Sequence, residues 1–534
     1  MTPSNSKRRN FMLSSFIVGA VLLACSTSVS AQNRVLVIDE GVDLEHSSLA
    51  ARKFVNAPEH TGQIAHDDDQ NGFIDDVSGW NAVSSDAEYF PTWIRKMFSD
   101  NAATITKLLS LYDRVEAGDQ DAIRTVRSNP SIGRAISSVL GLSHGTHVGG
   151  IVVRYGNPSA EVASLNVFTS SQEPANENNE APSFARAHLS VDTSMNHFKR
   201  LVRESLSRPS SATRGAFSTL SVESRFDDTE GVTDFIARMR TKEMAEKRKL
   251  ALYVAATKAR VVNLSLGASK INIRRALDSM WEEELLEAKL PISTPRSEIQ
   301  EANFQRMLNE VFEAFRSAWN DVFRSNPGVL FVIAAGNDAD DSNVADAGNN
   351  GINEVLPANC SKDNLNVITV AATTPEGVIA DFSNFHATLV NVAAWGTAVP
   401  SLAPNNNVVK MSGTSMASPN AAGLASRLFS VNPRLSPAQA RRILEGTVKK
   451  IASLKGRISS EGIVDPQAAL DAAAKMLLTN NVDAAIRAAL NARNAPQSMP
   501  LLMTHSPFAS TPSSDKTRVG QVHRTPDLIK QFMR

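Results

Sequence analysis

Gly413-Thr414-Ser415-Met416-Ala417-Ser418-Pro419 decides the reading of this chain. A small-residue turn delivers a serine, and a run of small apolar residues, Ala417 to Ala425, follows it. That run predicts a buried helix with Ser415 at its mouth. Pro419 fits the opening of such a helix, because the first backbone N–H groups have no intrahelical acceptor to lose. Ala421, Ala422 and Gly423 let other backbone pack close. A serine at a helix N-terminus feels the positive end of the helix dipole, which favours developing negative charge. Taken alone, such a serine is an ordinary cap. Its company upstream sets it apart.

Working outward, short apolar runs rich in β-branched residues recur. Val35-Leu36-Val37-Ile38 ends at Asp39, and Val162 to Phe168, Val261 to Leu266, Val329 to Ala334, Val367 to Ala371 and Leu389 to Ala393 are similar. Strands apolar on both faces, with helical segments between them, predict an α/β fold: a mostly parallel sheet with helices on both faces. Ligand sites in such sheets lie beyond the carboxyl ends of the strands. Asp39 and Asn337 both sit just past such an end.

Asp39 lies in Val37-Ile38-Asp39-Glu40-Gly41-Val42-Asp43, followed by His46 and Leu49. His144 opens His144-Gly145-Thr146-His147-Val148-Gly149-Gly150, and Asn337 closes Ala334-Ala335-Gly336-Asn337. Singly, these are ordinary cap, turn and loop residues. Their joint order Asp, His, Asn, Ser, each in a glycine-bearing turn, is hard to obtain by chance.

These blocks resemble the subtilisin-like serine proteases, the subtilases, whose triad is known to run Asp, His, Ser along the chain. Val262-Asn263-Leu264-Ser265-Leu266-Gly267 resembles the family's substrate strand, and Phe382-Ser383-Asn384 resembles one of its turns. The resemblance covers Arg34 to Ala473 apart from three insertions. It implies a catalytic triad of Asp39, His144 and Ser415, with the Asn337 side-chain amide and the Ser415 backbone N–H as the oxyanion hole. It implies that Ser265-Leu266-Gly267 and Ala334-Ala335-Gly336 wall the primary pocket, and that the substrates are proteins or peptides.

The chemistry needs these residue types. A serine hydroxyl is too weak an acid to attack a peptide carbonyl unaided, so histidine takes its proton and returns it to the leaving amine. The aspartate orients the imidazole and stabilises its charged form. Loss of one side-chain oxyanion donor costs about 10²–10³ in turnover. His147 is expected to be a structural hydrogen-bonder rather than a second base. Small walls with apolar neighbours suggest a broad apolar preference in the primary pocket. The acidic loop after Asn337 (Asp338, Asp340, Asp341, Asp346) would favour basic residues instead, and both preferences stay open.

The chain also departs from the family pattern. Glu40 stands where the family usually has Ser or Thr, and Trp395 stands where it usually has Pro. A carboxylate at Glu40 would stabilise a protonated His144 and blunt the base, unless it points to solvent. Only Gln32 to Ile38 would separate an expected cleavage after Ala31 from Asp39, so no room is expected there for the family's folding prodomain. These departures, with the insertions, motivate an alternative function: a catalytically silent subtilase-like scaffold that binds a protein partner.

Asp67-Asp68-Asp69-Gln70-Asn71-Gly72-Phe73-Ile74-Asp75-Asp76 is a second dense cluster. Alternate oxygens at Asp67, Asp69 and Asn71, with Gly72 for the sharp turn, resemble a calcium loop. Ser78 replaces the closing glutamate of an EF-hand, so Asp75 or Asp76 is the expected substitute ligand. A structural Ca²⁺ is the expected cofactor, with no organic cofactor beside it.

The N-terminus reads as an export signal over residues 1–31. Lys7, Arg8 and Arg9 are basic, Phe11 to Ala24 is apolar, and Val29-Ser30-Ala31 suits signal-peptidase cleavage. Leu22-Leu23-Ala24-Cys25 loosely resembles a lipobox, so a lipid anchor at Cys25 is the lesser alternative to a secreted or periplasmic protein. Cys25 and Cys360 are the only cysteines, so the mature fold has no intrachain disulfide to rely on. Lys+Arg and Asp+Glu both number 55. That balance gives no electrostatic case for nucleic acid as a partner. No second apolar run is long enough to cross a membrane after signal cleavage.

The catalytic domain is expected over residues 32–474, with insertions at about 91–138, 168–228 and 269–325. The first is helical in pattern, with Trp93, Ile94, Met97, Phe98, Leu108, Leu109 and Leu111 as its apolar members. It should cover either the outside of the sheet's helices or, as a lid, the rim of the substrate cleft. The second is polar and the third charged and helical. Residues 475–534 are expected to be a helix remnant and a flexible tail.

Overall fold

Alternate residues of Val35-Leu36-Val37-Ile38 serve two different cores. Val35 and Val37 pack into one apolar cluster, and Leu36 and Ile38 into another on the opposite face. Successive side chains of a strand point to opposite faces, so a strand with no polar alternation has both faces covered. The computed structural model describes residues 34–171, 226, 228–339 and 354–494. The expected export signal with Cys25, most of the 168–228 insertion, Asp340, Asp341 and Asp346, and the tail from Ala495 lie outside these residues.

The main sheet is built from β1 (Arg34–Asp39), β2 (Gly79–Asn81), β3 (Glu161–Asn166), β4 (Val261–Leu264), β6 (Leu330–Ala334), β8 (Val367–Thr373), β9 (Val392–Trp395), β12 (Lys449–Lys450) and β13 (Gly462–Ile463). The short strands β5 (Ala268–Ser269) and β7 (Val355–Leu356) form one antiparallel pair. β10 (Val399–Ala403) and β11 (Asn407–Met411) form another. The nine strands of the main sheet lie in the order β12-β13-β9-β8-β6-β4-β1-β3-β2. Every pair in it is parallel except β12 with β13. The chain leaves β1 toward β3 and β2, then crosses to β4 on the other side of β1. That reversal opens a crevice at the carboxyl ends of β1 and β4, where an open α/β sheet binds its ligands. The expected α/β class with a mostly parallel sheet is what is found.

Helices cover both faces. The first cluster holds the helices Pro130–Tyr155, Thr414–Val431 and Pro437–Gly446. The second holds Thr229–Ala256, Lys270–Glu287 and Glu298–Ser325. Ser297 and Gln300 form a reciprocal capping box at the start of the last of these, which fixes where it begins.

The 91–138 segment extends the first core. It forms the helices Thr92–Asp100, Ala102–Glu116 and Gln120–Ser128 and the opening of Pro130–Tyr155. Trp93, Ile94, Met97, Phe98 and Leu109 are buried there, while Leu108 and Leu111 pack half-buried against it. Its apolar stripe has therefore found a surface within the fold, and the packing alternative stands over the lid. Pro130–Tyr155 is, among the described residues, the helix long and apolar enough to cross a membrane, and it is mostly buried inside the fold.

Two expectations are corrected. His144 lies in the interior of Pro130–Tyr155, not in a turn. The glycine beside it serves close packing: a Cβ on Gly145 would lie 2.2 Å from the Gly41 carbonyl oxygen. The packed fold also continues past the expected domain boundary at residue 474, into the part expected to be a helix remnant. The helix Pro466–Thr479 runs on, and Val482–Asn494 packs back with Ala485, Ile486 and Ala489 buried. Alanine carries that packing, and an alanine stripe gives a weak apolar signal in sequence.

Candidate active site

Asp39 ends β1 and is 1% exposed. Its Oδ1 accepts the Glu40 backbone N–H at 3.0 Å and lies 2.7 Å from His144 Nδ1. Glu40 is also buried, and its Oε2 lies 3.2 Å from the same nitrogen. Glu40 therefore faces the ring and not solvent. A nitrogen between two carboxylates carries the proton, which leaves Nε2 as the basic atom of neutral His144.

Burial alone would disfavour the imidazolium, but the Asp39 and Glu40 charges outweigh it and raise the His144 pKa well above its ordinary value. Burial and the Glu40 charge raise Asp39 well above the usual carboxylate range, against the pull of His144. Burial also works to raise Glu40. His144 and a hydrogen bond from Asp39 overcome that and lower it. The three groups thus hold protons as one coupled unit.

His147, one turn further along the helix, is fully buried. Its Nε2–H faces the carbonyls of Val399 at 3.0 Å and Val409 at 3.1 Å, tying β10 and β11 to the helix. Burial and then the charge of His144 push its pKa down to about 3, so it stays neutral.

Ser415 stands in the first turn of Thr414–Val431. Its Oγ donates to the Ser265 carbonyl at 3.2 Å, and Ser265 Oγ donates to the Ser415 carbonyl at 2.8 Å. The helix Thr414–Val431 packs against the helix that carries His144. No hydrogen bond joins Ser415 to His144 among the described residues. Asp39 with His144 forms one unit, and Ser415 with Ser265 and Asn337 forms a second.

Asn337 follows Gly336, whose φ of +98° and lack of Cβ permit the turn after β6. Thr414 donates to Asn337 Oδ1 twice, from its backbone N–H and from its hydroxyl, each at 2.9 Å. A backbone N–H can only donate, so the oxygen end of the amide is fixed on Thr414. The NH₂ end faces the turn that precedes Ser415, with a Cβ position at Gly413 3.6 Å from it.

A pocket of about 200 Å³ opens beside Ser415. Ser265, Leu266 and Gly267 line one side, and Ala334, Gly336 and Asn337 the other. Ala335, expected as a wall, is instead fully buried in the second core, because strand alternation turns it away. Asp338 adds a carboxylate to the wall, where Asn384 Nδ2 donates to it at 3.2 Å. Ser269 and Asn272, from the insertion side, also line the pocket and carry no sequence signal that marks them.

In the acidic loop, carboxylate oxygens of Glu59, Asp67 and Asp69 lie within 4.8 Å of one another. Asp76 is 1% exposed, and burial, helped by the Asp69 and Glu59 charges, pushes its pKa up to about 7. Asn71 Nδ2 donates to Asp69 and Asp76 at 3.2 Å each. Asp75, the other expected substitute ligand, accepts the Ala65 N–H at its Oδ2 at 2.9 Å, while Asp76 lies beside Asp69 and Asn71. Glu59 comes from an earlier helix, so the local pattern that marks the loop does not include it.

The sequence pattern of the subtilase family matches residues 32–463. The chain belongs to the subtilase family. An extracellular protease of Xanthomonas campestris pv. campestris is 38% identical over 154 residues, 27% of this subtilase and 24% of that protein. A cell wall-associated protease of Bacillus subtilis is 42% identical over 108 residues, 20% of this subtilase and 12% of that protein. This subtilase thus spans under a quarter of the length of either relative. The crystal structure of a cold adapted subtilisin-like serine proteinase overlaps 81% of this subtilase and 89% of its own chain at 15% identity, with a TM-score of 0.36.

Proposed function

We propose that this subtilase is an exported serine endopeptidase that hydrolyses peptide bonds in proteins and peptides. The observation that carries the reading is the 2.7 Å contact between His144 Nδ1 and buried Asp39 Oδ1. It leaves Nε2 as the basic atom in a chain whose serine opens a helix beside an amide donor. Rotation about χ1 of Ser415 releases its hydroxyl from the Ser265 carbonyl. Catalytic hydrogen bonds commonly tighten only when substrate arrives.

Ser415 Oγ attacks the scissile carbonyl carbon while its proton passes to His144 Nε2. The oxyanion is held by Asn337 Nδ2 and the Ser415 backbone N–H. The C–N bond then breaks, the proton goes from His144 to the departing amine, and an acyl-enzyme remains. Water repeats the sequence and releases the acid. The name of the Xanthomonas campestris relative supports export, as does the basic, apolar, then small-residue N-terminus. The test is hydrolysis of a peptide library by the purified full chain. The reading expects cleavage that is lost in Ser415→Ala, and a folded wild-type protein that cleaves nothing overturns it.

The acidic loop would hold a structural calcium ion. Glu59, Asp67, Asp69, Asn71 and Asp76 offer an all-oxygen set, which suits a hard cation. The geometry supports the fit: carboxylate oxygens of Glu59, Asp67 and Asp69 lie within 4.8 Å of one another, and Asp76 is buried beside them with its pKa raised, first by burial and then by the Asp69 and Glu59 charges.

A further inference from the structure

His144 Nδ1 faces two carboxylates. Asp39 Oδ1 lies at 2.7 Å and Glu40 Oε2 at 3.2 Å, and both residues are buried. We propose that Glu40 is a second positioning carboxylate of the catalytic base. It shares with Asp39 the work of fixing the imidazole tautomer and of stabilising the imidazolium formed when Ser415 gives up its proton. The inference rests on the protease reading above and adds to it a residue outside the Asp-His-Ser set.

The physical case begins with charge. Two carboxylates buried side by side cannot both ionise cheaply beside a neutral ring, so the cluster keeps one proton to higher pH than a single Asp–His pair would. The other charges nearby do not compete for the ring. Asp43, on the same turn, is held by Arg95 at 3.0 Å, and His147 is neutral. Asp39 and Glu40 are the charged groups that act on His144 among the described residues, and both raise its proton affinity.

Two consequences follow for catalysis. The acid limb of the kcat/KM profile moves to higher pH, because only neutral His144 can accept the serine proton. Above that limb the plateau is higher, because a base whose charged form is stabilised accepts the proton more readily. Glu40 also supplies a fallback acceptor for Nδ1–H, so the ring keeps part of its orientation when Asp39 loses its charge.

The direct test is an NMR titration of isotope-labelled histidine in the full chain carrying Ser415→Ala, with and without Glu40→Gln. The expected result is a fall of the His144 midpoint by about one pH unit, a tenfold loss of proton affinity. Glu40→Ser, which restores the residue type usual at this position in the family, serves as a second variant and should shift the midpoint the same way. In the active protein, Glu40→Gln should move the acid limb down by a similar amount and lower the alkaline plateau. Asp39→Asn should lose further activity when Glu40→Gln is added. A merely structural Glu40 would lower the melting temperature and leave the midpoint where it was. An unmoved His144 midpoint in both variants overturns the role of Glu40 whatever the activity, whereas a wild-type protein that cleaves nothing overturns the protease reading instead.

Discussion

Ser412, just ahead of the Ser415 turn, donates its hydroxyl to Glu116 Oε2 at 2.9 Å. Ser412 Oγ in turn accepts the Ala398 N–H at 2.8 Å, and Gly413 N–H donates to the Gly396 carbonyl at 2.8 Å. Glu116 ends an insertion helix, and buried Tyr112 hydrogen-bonds to it from one turn earlier. The insertion thus braces the Ser415 turn from behind.

Removing that brace should loosen the position of Ser415 more than the binding of substrate. Glu116→Ala is expected to lower kcat several-fold with little change in KM. It should also cost about 1–3 kcal/mol of stability, the usual range for orphaning buried hydrogen-bonding groups. Glu116→Gln keeps an acceptor for Ser412 and should recover most of both. Steady-state kinetics with thermal melts decide it, and an unchanged kcat in Glu116→Ala would show that the brace is idle.

Asp338 is the one carboxylate among the described residues that line the primary pocket. Asn384 grips it twice, donating from Nδ2 to its carboxylate at 3.2 Å and accepting its backbone N–H at 3.0 Å. A fixed negative charge in a pocket whose other walls are uncharged, polar at Ser265, Ser269, Asn272 and Thr414 and apolar at Leu266, Ala334 and Val355, should favour Lys or Arg on the amino side of the scissile bond. Asp338→Asn is expected to cut kcat/KM for such substrates by about tenfold, or about 1.4 kcal/mol, and to leave substrates with Phe at that position nearly unchanged. A Phe preference in the wild type would assign the pocket to its apolar walls instead.

Gly145 should tolerate no side chain. A Cβ there would meet the Gly41 carbonyl oxygen at 2.2 Å and Asp39 Cβ at 3.2 Å. Backbone oxygen cannot rotate away, so Gly145→Ala must push the His144 helix off β1 and stretch the His144–Asp39 contact. The expected cost is at least about 1–3 kcal/mol, as for other overpacked cores, together with a large loss of kcat/KM. Ala at this position with normal activity would mean that the helix and β1 are not held together as described.

The calcium proposal is read by melting. An ion that binds only the folded state adds about 2.7 kcal/mol when present at one hundred times its dissociation constant. Chelation should therefore lower the melting temperature, and Asp69→Ala should abolish most of the difference. Asp75→Ala should have the smaller effect, because Asp75 is not among the carboxylates whose oxygens gather within 4.8 Å of one another. A wild-type melting temperature indifferent to chelator, with no calcium carried through purification, would leave the loop a self-bonded acidic turn.

Much of the sheet was legible because its strands are short, wholly apolar and closed by glycine-bearing turns. Asp39, Asn337 and Ser415 were legible for the same reason: each marks the point where such a pattern stops. His144 was legible as a residue but not in its setting. Glycines in sequence suggest a turn, while Gly145 serves a helix that must approach β1 closely. Glu40 stood out as a departure, yet its direction depends on where the His144 helix lies, which no local pattern records. Glu59 and Glu116 reach their partners from separate segments, at Asp69 and Ser412. The C-terminal helices were legible only as a remnant, because alanines such as Ala485 and Ala489 bury little apolar surface each.

In the proposed mechanism Ser415 is a nucleophile driven by His144 and assisted by Asn337. Intact-mass measurement after treatment with a fluorophosphonate tests it most directly. The expected result is one adduct per folded chain, located on Ser415 by peptide mapping and absent from Ser415→Ala. Adduct formation should be slowed by about 10²–10³ in Asn337→Ala, the usual cost of losing one oxyanion donor. A folded wild-type chain that gains no adduct, or gains one that persists in Ser415→Ala, would contradict it.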